Sequence, residues 1–100
     1  LYSSLDSEVM AEFAEIRLRP VLDFDEQNSA ELFETLEAYV KNKGNAHKTA
    51  QDLNLSSSGL KYRLKNIEKI TGVDIRETRT LFDLALALDI FQIIGNDTLS

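Results

Sequence analysis

The 100-residue chain has no cysteine and no tryptophan, and it has only one histidine and one proline. Without cysteine it can form neither a disulfide framework nor a thiolate metal site. With a single histidine, a zinc site would need mostly carboxylate ligands, which is a rare ligand set. No run of about 18 apolar residues occurs, so no segment is expected to span a membrane. We therefore expect one cytoplasmic domain with a modest core and without a metal or other cofactor.

Charge is distributed unevenly along the chain. The formal net charge is -6, from 17 acidic and 11 basic side chains, and such an acidic balance ordinarily argues against nucleic acid as a partner. Residues 1–40 have a net charge of -8, and residues 72–100 have a net charge of -3. Residues 41–71 carry seven basic side chains against two acidic ones, a net charge of +5. The total therefore hides a basic block, although a block of this kind is more often only a solvated face.

Helical spacing of apolar residues dominates the chain, whereas β-branched runs are few and hairpin turn pairs are missing. The sequence therefore predicts an all-α fold of five helices. The first helix is expected to begin near Asp6 or Ser7. It is expected to end before Pro20, because the residue preceding a proline is pushed out of the α region. Residues 21–27 then form a short connector whose apolar side chains anchor to the core.

Capping residues and glycines set the expected bounds of the next three helices. Asn28 with Glu31 three residues later resembles a capping box, which predicts a second helix from Asn28 to Gly44. Asn45 fits the N-cap of a short third helix. One of three consecutive serines is expected to cap a fourth helix that ends before Gly72. The predicted third and fourth helices cover residues 46–53 and about 57–70.

The fifth predicted helix, residues 78–94, ends at Gly95 and is apolar nearly all round. Its clearly polar side chains are Asp83, Asp89 and Gln92. One buried face is not enough for such a helix. We therefore expect its second face to meet another chain, forming a homodimer together with the first helix, or to meet an upstream domain.

Residues 45–65 fit a helix-turn-helix, in which two helices cross steeply around a turn of three or four residues. Ala50 supplies the small side chain that a close crossing needs. Four residues later, Asn54 occupies the turn position that requires a left-handed backbone, which glycine adopts most readily and asparagine tolerates. Leu53 and Leu55 flank this turn and are expected to enter the core.

The second helix of this motif has a basic outward face. If Leu60, Leu64 and Ile67 point inward, a wheel of about 100° per residue turns the opposite side chains toward solvent. The small-residue and turn spacing of the motif does not depend on where its charges lie, yet both features point to the same helix. We therefore interpret residues 57–70 as a recognition helix for the major groove of double-stranded DNA. The expected DNA-binding residues are Asn45, Lys48, Ser57, Ser58, Lys61, Tyr62, Arg63, Lys65 and Lys69.

Several of these residues have simpler interpretations that the sequence leaves open. Tyr62 is alternatively a half-buried packing residue, and Arg63 lies near the boundary, where it either packs or reaches a phosphate. Serines 57 and 58 and Asn45 are alternatively helix caps, and the lysines are alternatively only solvated. Neighbouring carboxylates occur, but nothing in the sequence around them indicates an active-site pocket. No phosphate-binding loop or nucleophile motif is present either, so we do not expect an enzyme.

Residues 34–75, followed by LFDLALAL, resemble the C-terminal helix-turn-helix domain of the PucR/CdaR class of bacterial transcriptional regulators. The similarity covers about residues 30–93, and LKYRL at 60–64 is its most specific part. The inner spacing of the motif is also that of Fis-type segments. The resemblance implies a sequence-specific DNA-binding regulator with an upstream sensory domain. We accordingly divide the chain into an N-terminal helix and connector (1–27), a helix-turn-helix domain (28–95) and a tail (96–100).

The start of the recognition helix departs from the family pattern. The family commonly has a His-Arg-Asn-Thr-like string there, whereas this chain has Ser56, Ser57, Ser58 and Gly59. Serine discriminates bases weakly, while a bidentate arginine–guanine pair contributes about 1–3 kcal/mol of discrimination. Specificity is therefore expected to rest more on residues 61, 62 and 65 and on DNA shape. The alternative function is a protein-interaction module of helix-turn-helix fold with weak or no DNA binding.

Overall fold

The computed structural model describes residues 4–99 and, within them, the side chains of residues 6–94. Over this range the chain forms five α-helices and no strand, which confirms the predicted all-α fold. The helices are α1 (Ser4–Asn28), α2 (Leu32–Lys41), α3 (Ala46–Asp52), α4 (Ser57–Thr71) and α5 (Thr78–Leu99).

Helices α1, α2, α4 and α5 share one hydrophobic core. The long helices α1 and α5 pack along each other, and α4 packs against α1, α2 and α3. The inner face of α4 is thus held by three neighbours, while its outer face remains in solvent. The buried residues of the core are Ala14, Leu18, Val21, Leu32, Leu36, Tyr39, Ile67, Ile75, Leu84, Ala87, Leu88 and Ile90.

The helix α1 continues through Pro20, so both the predicted end before this residue and the predicted connector over 21–27 are wrong. A proline in a helix interior removes a backbone hydrogen bond and costs about 3 kcal/mol. Leu18 and Val21, on either side of it, are fully buried, and full burial of such a side chain contributes about 1.5–3 kcal/mol. Both burials require the helical path, and together they outweigh the cost of the proline.

The helix α2 begins at Leu32, so the capping box predicted at Asn28 is also wrong. Asn28 is the last residue of α1, and Glu31 stands at the N-cap without a side-chain hydrogen bond to the helix. The capping carboxylate comes instead from Asp25, whose two oxygens accept the backbone N–H groups of Leu32 and Phe33, both at 2.8 Å. The reversal between α1 and α2 is therefore fixed by a side chain of the preceding helix.

The helix α5 begins at Thr78 as predicted, but it passes Gly95 and ends at Leu99, so its predicted end is wrong. A glycine in a helix interior costs only about 1 kcal/mol relative to alanine, which is too little to end a helix by itself. The side chains beyond Ile94 and all of Ser100 lie outside the described residues. In the described part of the chain, no helix has the length and hydropathy needed to cross a bilayer.

Candidate nucleic-acid interface

The short helix α3 begins with the predicted cap. Asn45 accepts the backbone N–H of Lys48 on its side-chain oxygen at 3.0 Å. Ala50 is buried at 9% exposure. Thr49, which the sequence did not single out, is fully buried: its hydroxyl donates to the Asn45 carbonyl at 2.7 Å and accepts from the Asn42 amide at 3.3 Å. These bonds attach α3 to its N-cap residue and to the C-cap of α2.

The turn between α3 and α4 has the predicted backbone. Asn54 has a φ of +56°, in the left-handed region. The backbone N–H of Leu55 donates to the carbonyl of Ala50 at 2.9 Å and closes the turn onto α3. Because asparagine tolerates this left-handed conformation, the turn directs the chain into α4 with little backbone strain.

Both ends of α4 are capped by the residues that directly flank the helix. Ser56 is the N-cap, and its hydroxyl accepts the backbone N–H of Gly59 at 3.0 Å. Gly72 ends the helix with a φ of +76°. The capping role thus falls on the first of the three serines, and Ser57 and Ser58 lie exposed in the first turn.

The outer face of α4 is exposed and basic. Its inner side buries Leu60 and Ile67. Tyr62 is 69% exposed, which argues against a role in packing. Among the described residues, no carboxylate lies within the 4.0 Å ion-pair distance of the three outward lysines. We call this surface the basic face, and it consists of Ser57, Ser58, Lys61, Tyr62, Lys65 and Lys69.

Asn45 and Lys48 are exposed at the start of α3, but each already has a local partner. The Lys48 ammonium is 3.9 Å from a carboxylate oxygen of Asp52, and Asp52 also accepts the Asn42 amide at 2.9 Å. The side-chain oxygen of Asn45 is engaged in the cap. Both residues are thus less available to a phosphate than the lysines of the basic face.

Arg63 is turned away from the basic face and toward α2. Its guanidinium donates to the hydroxyl of Thr35 at 3.1 Å and lies 3.5 Å from a carboxylate oxygen of Glu31. The Arg63 side chain is 25% exposed, and Thr35 is fully buried. Of the two interpretations that the sequence left open for Arg63, the structure shows packing.

A solvent-open groove of about 670 Å³ lies between α3 and α4, next to the basic face. Apolar side chains, including Leu55 and Leu64, line it together with Lys61, Lys65 and the exposed His47. In the described part of the chain, no group of three or more histidine and carboxylate side chains is arranged to hold a metal ion.

The perturbed titrating groups near this groove have structural causes. Burial raises the pKa of the Tyr39 hydroxyl, and the negative charge of Glu68 raises this pKa further. The backbone N–H and the guanidinium of Arg76 lower the pKa of the Asp74 carboxyl. The Glu68 carboxylate accepts the backbone N–H of Ile75 at 3.2 Å. The bond from Ile75 to Glu68 holds the segment after α4 against that helix.

The fold agrees with what comparison with known proteins shows. A family model described as the PucR C-terminal helix-turn-helix domain matches residues 32–90, from the first residue of α2 into α5. The chain is similar to the proline-responsive transcriptional activator PutR of Bacillus subtilis (strain 168), with 38% identity over 64 residues. That alignment covers 64% of this chain and 16% of PutR. No solved structure gave a significant match.

The family match covers more than half of the chain and includes α4, the helix that carries the basic face. This is a family of transcriptional-regulator domains rather than of enzymes, and membership supports a DNA-binding regulatory role. The chain belongs to the family of PucR C-terminal helix-turn-helix domains.

Proposed function

We propose that α4 is the recognition helix of a DNA-binding domain and enters the major groove of double-stranded DNA. The observation that carries this proposal is the basic face, where Lys61, Lys65 and Lys69 are exposed and have no carboxylate partner among the described residues. Phosphates supply most of the electrostatic affinity of DNA complexes, and unpaired ammonium groups can neutralise them at little cost. A helix about 10–12 Å across fits a major groove that is about 12 Å wide.

The residues of the basic face have different proposed roles. The lysines contact phosphates or the acceptor atoms of guanine, while Tyr62 and the two exposed serines of the first turn face the base edges. Asn45 and Lys48 are secondary phosphate ligands beside α3. We leave Arg63 out of the contact set because its guanidinium is bonded to α2.

Lys61→Ala combined with Lys65→Ala is expected to weaken binding to a random-sequence DNA duplex and to flatten its salt dependence. The logarithm of the binding constant falls by about 0.9 per phosphate contact for each unit of log salt concentration. Losing two contacts should thus reduce the slope by roughly two. Fluorescence anisotropy of a labelled duplex from low to physiological salt measures both quantities.

Arg19→Ala with Arg79→Ala is the matched control for that experiment, since it removes the same charge from exposed positions on α1 and α5. The control should leave the slope close to that of the wild type. Equal slopes for the lysine variant and the wild type would refute the assignment of α4 as the recognition helix. A wild-type chain with no DNA affinity even at low salt would favour the alternative, a protein-interaction module.

We further propose that the domain acts as a homodimer through α5, in the cytoplasm and joined to an upstream sensory domain. Phe82, Leu86 and Ile93 are 76%, 46% and 63% exposed. Their spacing places them on one side of α5, and exposed apolar patches of this kind mark interaction sites. The exposed Val9 and Ile16 lie on α1, which packs along α5. A dimer would present two copies of α4 to half-sites about 34 Å apart.

Phe82→Glu is expected to raise the dissociation constant of this dimer by at least about 30-fold. Truncating a central apolar contact costs about 2 kcal/mol or more, and a twofold-symmetric interface has the substitution on both sides. Sedimentation equilibrium over a concentration series measures the change. Tyr62→Glu, at a similarly exposed aromatic residue on α4, should leave the mass unchanged. A wild-type chain that remains monomeric at every concentration would refute the dimer.

A further inference from the structure

We propose that Arg63 and Thr35 form a brace that sets the rotation of α4 about its own axis. Arg63 is then a positioning residue for DNA recognition and not a DNA ligand. This inference rests on the proposed function, because it concerns how the recognition helix is aimed.

The bond between α4 and α2 has a fixed direction. The Thr35 hydroxyl donates its single hydrogen to the carbonyl of Glu31 at 2.8 Å, so it can only accept from Arg63. The Arg63 guanidinium meets that acceptor at 3.1 Å, and a Glu31 carboxylate oxygen lies 3.5 Å away. Thr35 is fully buried, so bulk water cannot replace the guanidinium as the donor to its hydroxyl oxygen.

A rotation of α4 would break this bond and misplace the basic face together. Lys61 and Lys65 are each two residues from Arg63, about 200° around the helix, so they move with it as one rigid element. At a side-chain radius of about 5–6 Å, a rotation of roughly 20° displaces these groups by about 2 Å. That shift exceeds the tolerance of a hydrogen bond to Thr35 and of one to a base edge.

The apolar contacts of α4 do not set this angle as sharply. Leu60 and Ile67 are buried on its inner face, but apolar burial is non-directional and permits small rotations with little loss of area. Because the bond from Arg63 is directional, it selects one angle from those that the core allows. The Nη1 group of Arg63 serves Thr35 and Glu31, so a phosphate contact by Arg63 would have to use its other N–H groups.

The experiment compares Thr35→Val, Arg63→Met and their combination with Thr35→Ser, which keeps the hydroxyl. Each variant is titrated with two duplexes, one selected from random DNA by the wild-type protein and one of random sequence. Thr35→Val is expected to lower affinity for the selected duplex about tenfold, as for one lost base contact. It should leave the salt slope and the random-duplex affinity nearly unchanged. Thr35→Ser should retain the wild-type affinity, and the double variant should be no weaker than Arg63→Met.

Several results would overturn the brace. A slope reduced by about 0.9 in Arg63→Met, with Thr35→Val unaffected, would make Arg63 a phosphate ligand. Unchanged selectivity in a folded Thr35→Val protein, checked by circular dichroism, would leave the contact with a purely structural role.

If the wild type selects no duplex and does not bind the random one, the proposed function fails, and amide chemical shifts then decide the brace separately. In Thr35→Val, shift changes that reach residues 61, 62 and 65 support the brace. Changes confined to the immediate neighbours of residue 35 overturn it.

Discussion

Ile67→Ala is expected to lower the free energy of unfolding by about 2–5 kcal/mol. Ile67 is fully buried in the shared core, on the side of α4 opposite the basic face. The substitution loses the burial of the removed carbons and leaves a cavity that the surrounding helices close only in part. Domains of this size are typically stable by only about 5–15 kcal/mol. Urea denaturation should show a lower midpoint with an unchanged slope.

At a protein concentration low enough to keep the proposed dimer dissociated, Ile16→Ala is the matched control, because it makes the same chemical change at a side chain that is 62% exposed. Surface substitutions of this kind usually change stability by less than about 0.5 kcal/mol. Equal losses at the two positions would contradict the burial of the inner face of α4. A large loss at Ile67 alone would also show that the core fixes the helix that carries the basic face.

The helix-turn-helix could be predicted from the sequence because its bounds depend on contacts between near neighbours. Asn45 caps an amide three residues away, Ser56 does the same for α4, and Asn54 is a residue type that tolerates the left-handed backbone of the turn. Each of these features follows from residue type and spacing. The buried and exposed sides of α4 followed in the same way from helical periodicity.

The cap of α2 could not be predicted locally, because it depends on how two helices meet. Asp25 reaches the first amides of α2 only after the chain has reversed. Asn28 and Glu31, by contrast, have the residue types and the spacing of a local capping box. Arg63 presents the same difficulty. A helical wheel places it at a boundary, and its direction is decided by Thr35, 28 residues earlier. The available signal was Thr35 itself, a polar residue among the apolar residues Leu32, Leu36 and Tyr39 on the buried face of α2.

The path of α1 across Pro20 did have a signal in the sequence. Ala14, Leu18 and Val21 are spaced four and three residues apart, which is the spacing of one helix face, and all three are buried in the core. That face runs through the proline without a change of phase. The local rule about proline considers only the adjacent residues. The packing that overrides it involves both sides of the proline and the neighbouring helices.

Pro20→Ala is accordingly expected to raise the free energy of unfolding by about 2–3 kcal/mol. Alanine restores the missing N–H to the interior of α1 and removes the clash of the ring with the preceding turn, which together cost about 3 kcal/mol. The gain is reduced by the roughly 0.4–1 kcal/mol by which proline stiffens the unfolded chain. Thermal and urea unfolding at matched protein concentration measure the difference. Leu18→Ala, two residues earlier in the same helix, removes a fully buried side chain and should act in the opposite direction. A Pro20→Ala protein less stable than the wild type would contradict this account, since it would mean that α1 needs the geometry of the proline to pack against α5.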